Sequence, residues 1–299
     1  ICACLVGSEM CIRDRSNTLV YASVHCSLLE QLDALSQIGG VCDLSYIKTP
    51  ALLSRAENGK LTDAGNSMSP DIERVMSLNP DAILLSPFEN AGYGRIGKMG
   101  IPIIECADYL ETSPLGRAEW IKFFGLLYGK EVEADSIFTE VEKNYTELRD
   151  KIGVLSSAPV VISELKSGSA WYMPGGKSYM ARFFKDAGAA YPWSDNTETG
   201  SIPLSFETVF NRAGKADIWL IKSFHVSELS YRTLQKEYAP YARFKAFREK
   251  KIYGCDSSRC NYYEETPFRP DLLLQELAAL FHPGLFPDYR FRYYQPLSE

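Results

Sequence analysis

Hydrophobic positions in this chain follow two rhythms that alternate along its length. Thr18–Ala22 is a short β-type run, and Ser27–Leu35 then places apolar residues at 28, 29, 32 and 35, a helical period. Gly39–Asp43 reads as a second strand, and residues 48–68 are polar and hold Gly and Asn, so they read as loop. Ser69 followed by Pro70 predicts a capped helix, because Pro costs nothing where the first N–H has no partner. Asn79-Pro80 stops it. Asp81–Ser86 is a buried strand, and Ile101–Glu105 is another after a short helix. Residues 115–152 differ. Val132, Ile137, Phe138, Val141, Tyr145, Leu148 and Ile152 recur at helical spacing with no intervening strand, predicting a long helix with a break near Gly125–Lys130. The β/α rhythm then restarts with a strand at Pro159–Glu164, a helix at Ser178–Ala187 ended by Gly188, and helical Phe206–Asn211. Strands at Asp217–Lys222 and Lys251–Gly254 follow, and an amphipathic helix at Pro270–Phe281 comes after them.

The two halves echo each other. Glu73-Arg74-Val75-Met76 precedes the strand opened by Asp81, and Glu207-Thr208-Val209-Phe210 precedes the strand opened by Asp217. Each is a short helix with an early Glu, followed by an Asp that opens a hydrophobic strand. Repeated β–α–β steps argue for parallel sheets covered by helices. The expected fold is α/β, two Rossmann-like lobes joined by a single long backbone helix. The boundaries are 17–114 for the first lobe, 115–152 for the connecting helix and 153–299 for the second.

Composition narrows the function classes. The chain has 299 residues, 45% hydrophobic and 23% charged, an ordinary globular balance long enough for two lobes. The net charge is -6 with acids spread along the chain, which leaves no footprint for nucleic acid. The basic stretch Arg243–Lys251 is helical in pattern and reads as a solvated face. No run of about 18 apolar residues suits a membrane span. Residues 1–16 are set outside the fold. With Cys2, Cys4 and Cys11 close together, they read either as adapter-derived sequence or as the remnant of a lipoprotein signal acylated at Cys4. The five remaining cysteines lack zinc-site spacing. Cys255 and Cys260, five apart, suit a local disulfide or two thiols equally.

Five segments then carry a resemblance: Met68–Leu85, Gly100–Ile104, Ala181–Gly188, Ile202–Glu207 and Phe281–Phe286. Their order and spacing resemble the helical-backbone (class III) periplasmic substrate-binding proteins of ABC importers, from about residue 18 to the end. The ending His282-Pro283-Gly284-Leu285-Phe286 resembles a Bacteroidetes-type branch, whose members carry extra sequence upstream. The resemblance implies a monomeric, non-enzymatic, periplasmic protein, lipid-anchored in full-length form. It implies capture of a metal chelate (iron-siderophore, cobalamin or haem) between the lobes, with modest closure about the stiff helix. Delivery would be to an inner-membrane permease dimer. It further implies that Glu73 and Glu207 dock on permease arginines, one from each lobe. Either Glu alone equally suits a first-turn acid complementing the helix dipole.

Candidate ligand contacts follow from strand ends. Phe88, Glu89, Tyr93 and Arg95 lie in the loop after the Asp81 strand, where α/β sheets expose ligand contacts. His25 and His225 follow strands and suit either a metal centre or ordinary loop hydrogen bonds. Tyr46, Trp171, Tyr172 and Trp193 are flat surfaces for stacking, or core. Arg259, Tyr262 and Tyr263 are placed to close over a ligand, and Lys166, Arg95 and Arg259 to neutralise an anionic chelate. An alternative class is a nucleotide-dependent or hydrolytic enzyme using Gly92–Gly97, which fits Gly-x-Gly-x-x-Gly. Its spacing is poor: Gly100-Ile101-Pro102 ends any helix at once, and Glu105 comes too early for a ribose contact.

Overall fold

A computed structural model describes residues 15–87, 93–224 and 229–299. The chain divides into two compact units. One reaches to Glu111 and includes Gly116–Glu140; the other comprises Thr112–Leu115 and Val141–Glu299.

In the first unit the chain runs β1 (Thr18–Val20), α1 (Ser23–Gln31), β2 (Ile38–Val41), α2 (Pro50–Glu57), β3 (Thr62–Asp63), β4 (Gly65–Asn66), β5 (Ser69–Pro70), α3 (Ile72–Leu78), β6 (Ala82–Leu85) and β7 (Ile103–Glu105). The sheet order is β3-β2-β1-β6-β7, with every pair parallel. Leu19, Val75, Ile83 and Leu85 form its core, so the sheet's central residues are apolar and bury against α3.

Two helices follow, α4 (Pro114–Tyr128) and α5 (Glu131–Gly153). The interruption falls at Gly129, whose φ of 66° is the left-handed conformation that ends a helix. The division between the units falls inside α5.

The second unit continues with β8 (Val161–Ser163), β9 (Lys166–Ser167), β10 (Ala170–Pro174), α6 (Tyr179–Asp186), β11 (Ser201–Leu204), α7 (Phe206–Ala213) and β12 (Ile218–Ser223). It ends with α8 (Tyr231–Glu237), α9 (Lys245–Arg248), β13 (Ile252–Asp256), α10 (Tyr262–Glu265), α11 (Pro270–Phe281) and β14 (Gln295–Pro296). Strands β8, β12 and β13 are parallel, and β14 adds antiparallel. Strands β9–β11 form a separate antiparallel sheet that the expected β–α–β rhythm does not contain.

The pseudo-repeat has a physical cause. Asp81 accepts from the backbone N–H of Asn17 at 3.0 Å and returns its own N–H to the Asn17 carbonyl at 3.0 Å. Asp217 accepts from Val160 N–H at 2.8 Å and donates its own N–H to the Val160 carbonyl at 2.8 Å. In both units an aspartate therefore latches the entry of one parallel strand to its neighbour, satisfying an amide that precedes the ladder.

Three local expectations change. Residues 48–68 hold α2, β3 and β4. Helix α2 shows no apolar stripe because Leu52 is its single buried residue, and Arg55 reaches the carbonyls of Leu35 and Ile38. Ser69 and Pro70 belong to a two-stranded ladder, and Asp71 caps α3, accepting from Glu73 N–H at 3.0 Å and Arg74 N–H at 3.1 Å. The first helix begins at Ser23, four residues before its apolar period, so His25 is helical. Among the described residues no helix is long and apolar enough to cross a membrane.

Candidate functional site

The second unit contains a cavity of about 760 Å³ at the C-terminal ends of β8 and β12. Parallel strands deliver their C-terminal residues to one edge, where α/β sheets hold ligands. Here those residues are Glu164 and Leu165 after β8, and Lys222 and Ser223 at the end of β12. The β9–β11 sheet contributes Lys166, Ser167, Tyr172 and Ser201, and the start of α6 contributes Ser178 and Tyr179.

Glu164 and Lys222 form an ion pair, with side chains 24% and 13% exposed. Burial opposes the Lys222 charge, but the Glu164 carboxylate together with the Tyr262 and Tyr263 phenols outweighs it and holds the ammonium well above its usual range. Glu164 is a non-glycine residue at φ 63°, a conformation that costs a side-chain-bearing residue about 1–2 kcal/mol. Its backbone is held there by neighbours. Its N–H donates to the Leu220 carbonyl at 2.9 Å, and its carbonyl accepts the Trp219 indole N–H at 2.9 Å. The Trp171 indole donates to the preceding carbonyl, Ser163, at 3.0 Å. Strain at a charged residue lining a cavity is a common mark of a binding site.

That arrangement corrects three readings. Trp171 is fully buried against Trp219, Tyr241 and Phe244 and is a support of the cavity rather than a stacking surface. Trp193 is 3% exposed, packed against Tyr191 with the Arg212 guanidinium over its ring. Tyr262 is 4% exposed, with its ring 5.9 Å from the Lys222 ammonium, so it lies within the core rather than closing over a ligand. Burial raises its phenol well above the ordinary value. Lys166 and Tyr172 line the cavity, and Tyr172 is half exposed. Tyr263 is exposed beside Tyr262. Arg259 is exposed and pairs with Asp256 at 3.4 Å.

In the first unit His25 is fully buried, another correction. Its Nε2 lies 2.9 Å from Asp108 Oδ1, and Asp108 also receives Arg117 at 3.0 Å. The ring packs against Phe124 at 5.2 Å. Helix α1 starts early enough to carry this residue inward. Tyr46 stands exposed on the turn after β2. The Tyr93 hydroxyl bonds Glu105, and Arg95 is exposed on the following turn. Phe88, Glu89 and His225 lie outside the described residues.

Glu73 and Glu207 occupy the same place in matching helices. Asp71 caps α3 and Glu73 is its second residue; Ser205 caps α7, accepting from Thr208 N–H at 3.1 Å, and Glu207 is its second residue. Both are exposed, and the valines two residues on, Val75 and Val209, are fully buried.

Residues 27–258 match the protein family described as Periplasmic binding protein. The chain belongs to that family. An uncharacterized lipoprotein of Methanocaldococcus jannaschii is 30% identical over 288 residues, 91% of this chain and 66% of that protein, so the chain spans just under two thirds of this relative. Among solved structures, a periplasmic heme binding protein from Pseudomonas aeruginosa superposes with a TM-score of 0.71 at 18% identity, covering 95% of this chain and 98% of that one. The molybdate periplasmic binding protein MolA of Haemophilus influenzae does so with a TM-score of 0.70 at 18% identity, covering 92% and 88%. These two likenesses establish the fold.

In this periplasmic binding protein, the stretch ending in Gly97 leads into a single 3-10 turn, Ile96–Lys98. A turn of that length offers no helix N-terminus for a pyrophosphate. The sequence reading missed Glu164, Lys222, Ser167, Tyr179 and Ser201. A Lys at the end of an otherwise apolar strand, Ile218–Ser223, was the available signal for Lys222. Nothing local marked Glu164, because its partner lies 58 positions away.

Proposed function

We propose that this chain is the ligand-capturing component of an ABC-type importer and takes a metal chelate into the cavity of its second unit. The observation that carries the reading is the cavity itself: about 760 Å³, with the Lys222–Glu164 pair and Lys166 among the hydroxyls of Ser167, Tyr172, Tyr179 and Ser201. That volume suits a small organic ligand. The hydroxyls and ammonium groups suit the carboxylate, hydroxamate or phenolate oxygens that surround a chelated metal. The protein would work outside the cytoplasmic membrane, tethered there, and hand its ligand to a permease dimer. Glu73 and Glu207 would contact that permease, since both carboxylates stand exposed at equivalent points of two rigid helices. No step of chemistry is required of the protein.

The reading is tested by titrating the protein with a ferric trihydroxamate, a ferric tricatecholate, haem and cyanocobalamin, following tryptophan fluorescence. One of the four binds with a micromolar or tighter constant. K222M weakens that binding by about tenfold or more, the loss of one charge-assisted contact. Failure of all four to bind, together with tight binding of molybdate alone, would replace the chelate by a simple oxyanion.

A further inference from the structure

The chemistry of the binding protein leaves one reactive pair unused. Cys255 lies in β13 and Cys260 at the end of the turn that follows, and their sulfurs are 3.7 Å apart. Cys255 is buried and Cys260 partly exposed. The turn is held by backbone and serine contacts, and the Cys260 thiol adds one to the Asp256 carbonyl at 3.3 Å. Arg259 N–H and Cys260 N–H both donate to the Asp256 carbonyl, at 3.0 and 3.2 Å, and the Ser258 hydroxyl donates to the Asp256 carboxylate at 2.6 Å. Ser257 donates its N–H at 2.9 Å and its hydroxyl at 3.0 Å to the carbonyl of Ser223, which lines the cavity. In the β12–β13 register Cys255 is the partner of Lys222.

We propose that Cys255 and Cys260 are a redox pair that closes to an intramolecular disulfide and fixes the turn between β13 and α10 against the cavity-lining end of β12. The two sulfurs already lie in contact at 3.7 Å and need to close to the bond length of about 2.0 Å. The step is thiol–disulfide exchange with a disulfide oxidant. The Cys260 thiolate, the more accessible of the two, attacks one sulfur of the oxidant and expels a thiolate. Cys255 then gives up its proton and attacks the Cys260 sulfur, expelling the second thiolate. The pair loses two protons and two electrons, and the oxidant becomes two thiols. The hydrogen bond to Cys260, reinforced by burial, holds the Cys255 thiol protonated, which fits it to be the second, resolving partner. Disulfides persist outside the cytoplasm, the location proposed above.

The test needs no ligand. The full chain is equilibrated with oxidised glutathione or with dithiothreitol, trapped with an alkylating agent, digested and mapped by mass spectrometry. In oxidised glutathione the peptide spanning 255–260 loses two hydrogens and takes no alkyl group; in dithiothreitol it takes two. Reduction lowers the thermal midpoint by about 2–6 °C, the release of a short closed loop, and C260S removes that redox dependence while still folding. Free alkylation of both cysteines in the oxidising buffer, or a cross-link from either to another cysteine, overturns the proposal. Because no chelate is present, the outcome is independent of whether the import reading stands.

Discussion

At the scale of single residues, the cavity rests on a charge pair whose members depend on each other. Removing Lys222 alone leaves the Glu164 carboxylate in a mostly buried site. K222M is therefore expected to lower unfolding free energy by about 1–3 kcal/mol, and the double variant K222M/E164Q to recover most of it, measured by urea denaturation. The buried Asp108 gives a prediction in pH. Burial pushes its carboxyl up, but the His25 bond and the His25 and Arg117 charges outweigh that and hold it below the ordinary value. A lowered carboxyl stabilises the fold fully above its unfolded value of about 3.9 and loses that contribution as pH falls through the folded value. D108N should thus cost about 2–4 kcal/mol at pH 7, and the gap between variant and parent should narrow as pH falls below the unfolded value of about 3.9. A gap that widens on acidification would contradict the assignment. The sequence shows why such residues are hard to place. His25 and Trp171 were legible as chemistry-bearing side chains near strand ends, but the direction each points depends on where a helix or bulge begins. A helix that starts at Ser23, four residues before its apolar period, turned His25 from loop to core.

At the scale of elements, long apolar strands and the α4–α5 region were legible because their periodicity is strong and their ends are marked by Gly129, Asn79-Pro80 and Gly188. The short strands β9–β11 were not, since two to five residues are too few to show an alternation. Helix α2 was not, since one buried leucine gives no stripe. The echo between the halves was legible, and its reason is the aspartate latch. D81A and D217A each strand backbone amides that Asp81 and Asp217 now satisfy. Each is expected to cost about 1–3 kcal/mol, with the two losses additive in the double variant, because they share no partner. Chemical denaturation of the three variants checks this. Strong non-additivity would show that the latches are not independent.

At the scale of the whole molecule, one unit holds a cavity, and each unit carries an exposed glutamate at the same point of a matching helix. If Glu73 and Glu207 serve the permease, then the reversed-charge variant E73K/E207K binds its chelate as the parent does and fails to support uptake in cells. Loss of binding as well would assign the two residues to the ligand instead. The tryptophans are also unevenly shared. Trp171, Trp193 and Trp219 are buried in the second unit, two of them bracing the strand end that carries Glu164, and Trp120 belongs to the first. The protein is thereby wired as an optical instrument with one bright end. Indole emission is therefore expected to report occupancy of the cavity without any dye, and replacing the partly buried Trp120 with Phe would silence the other end altogether.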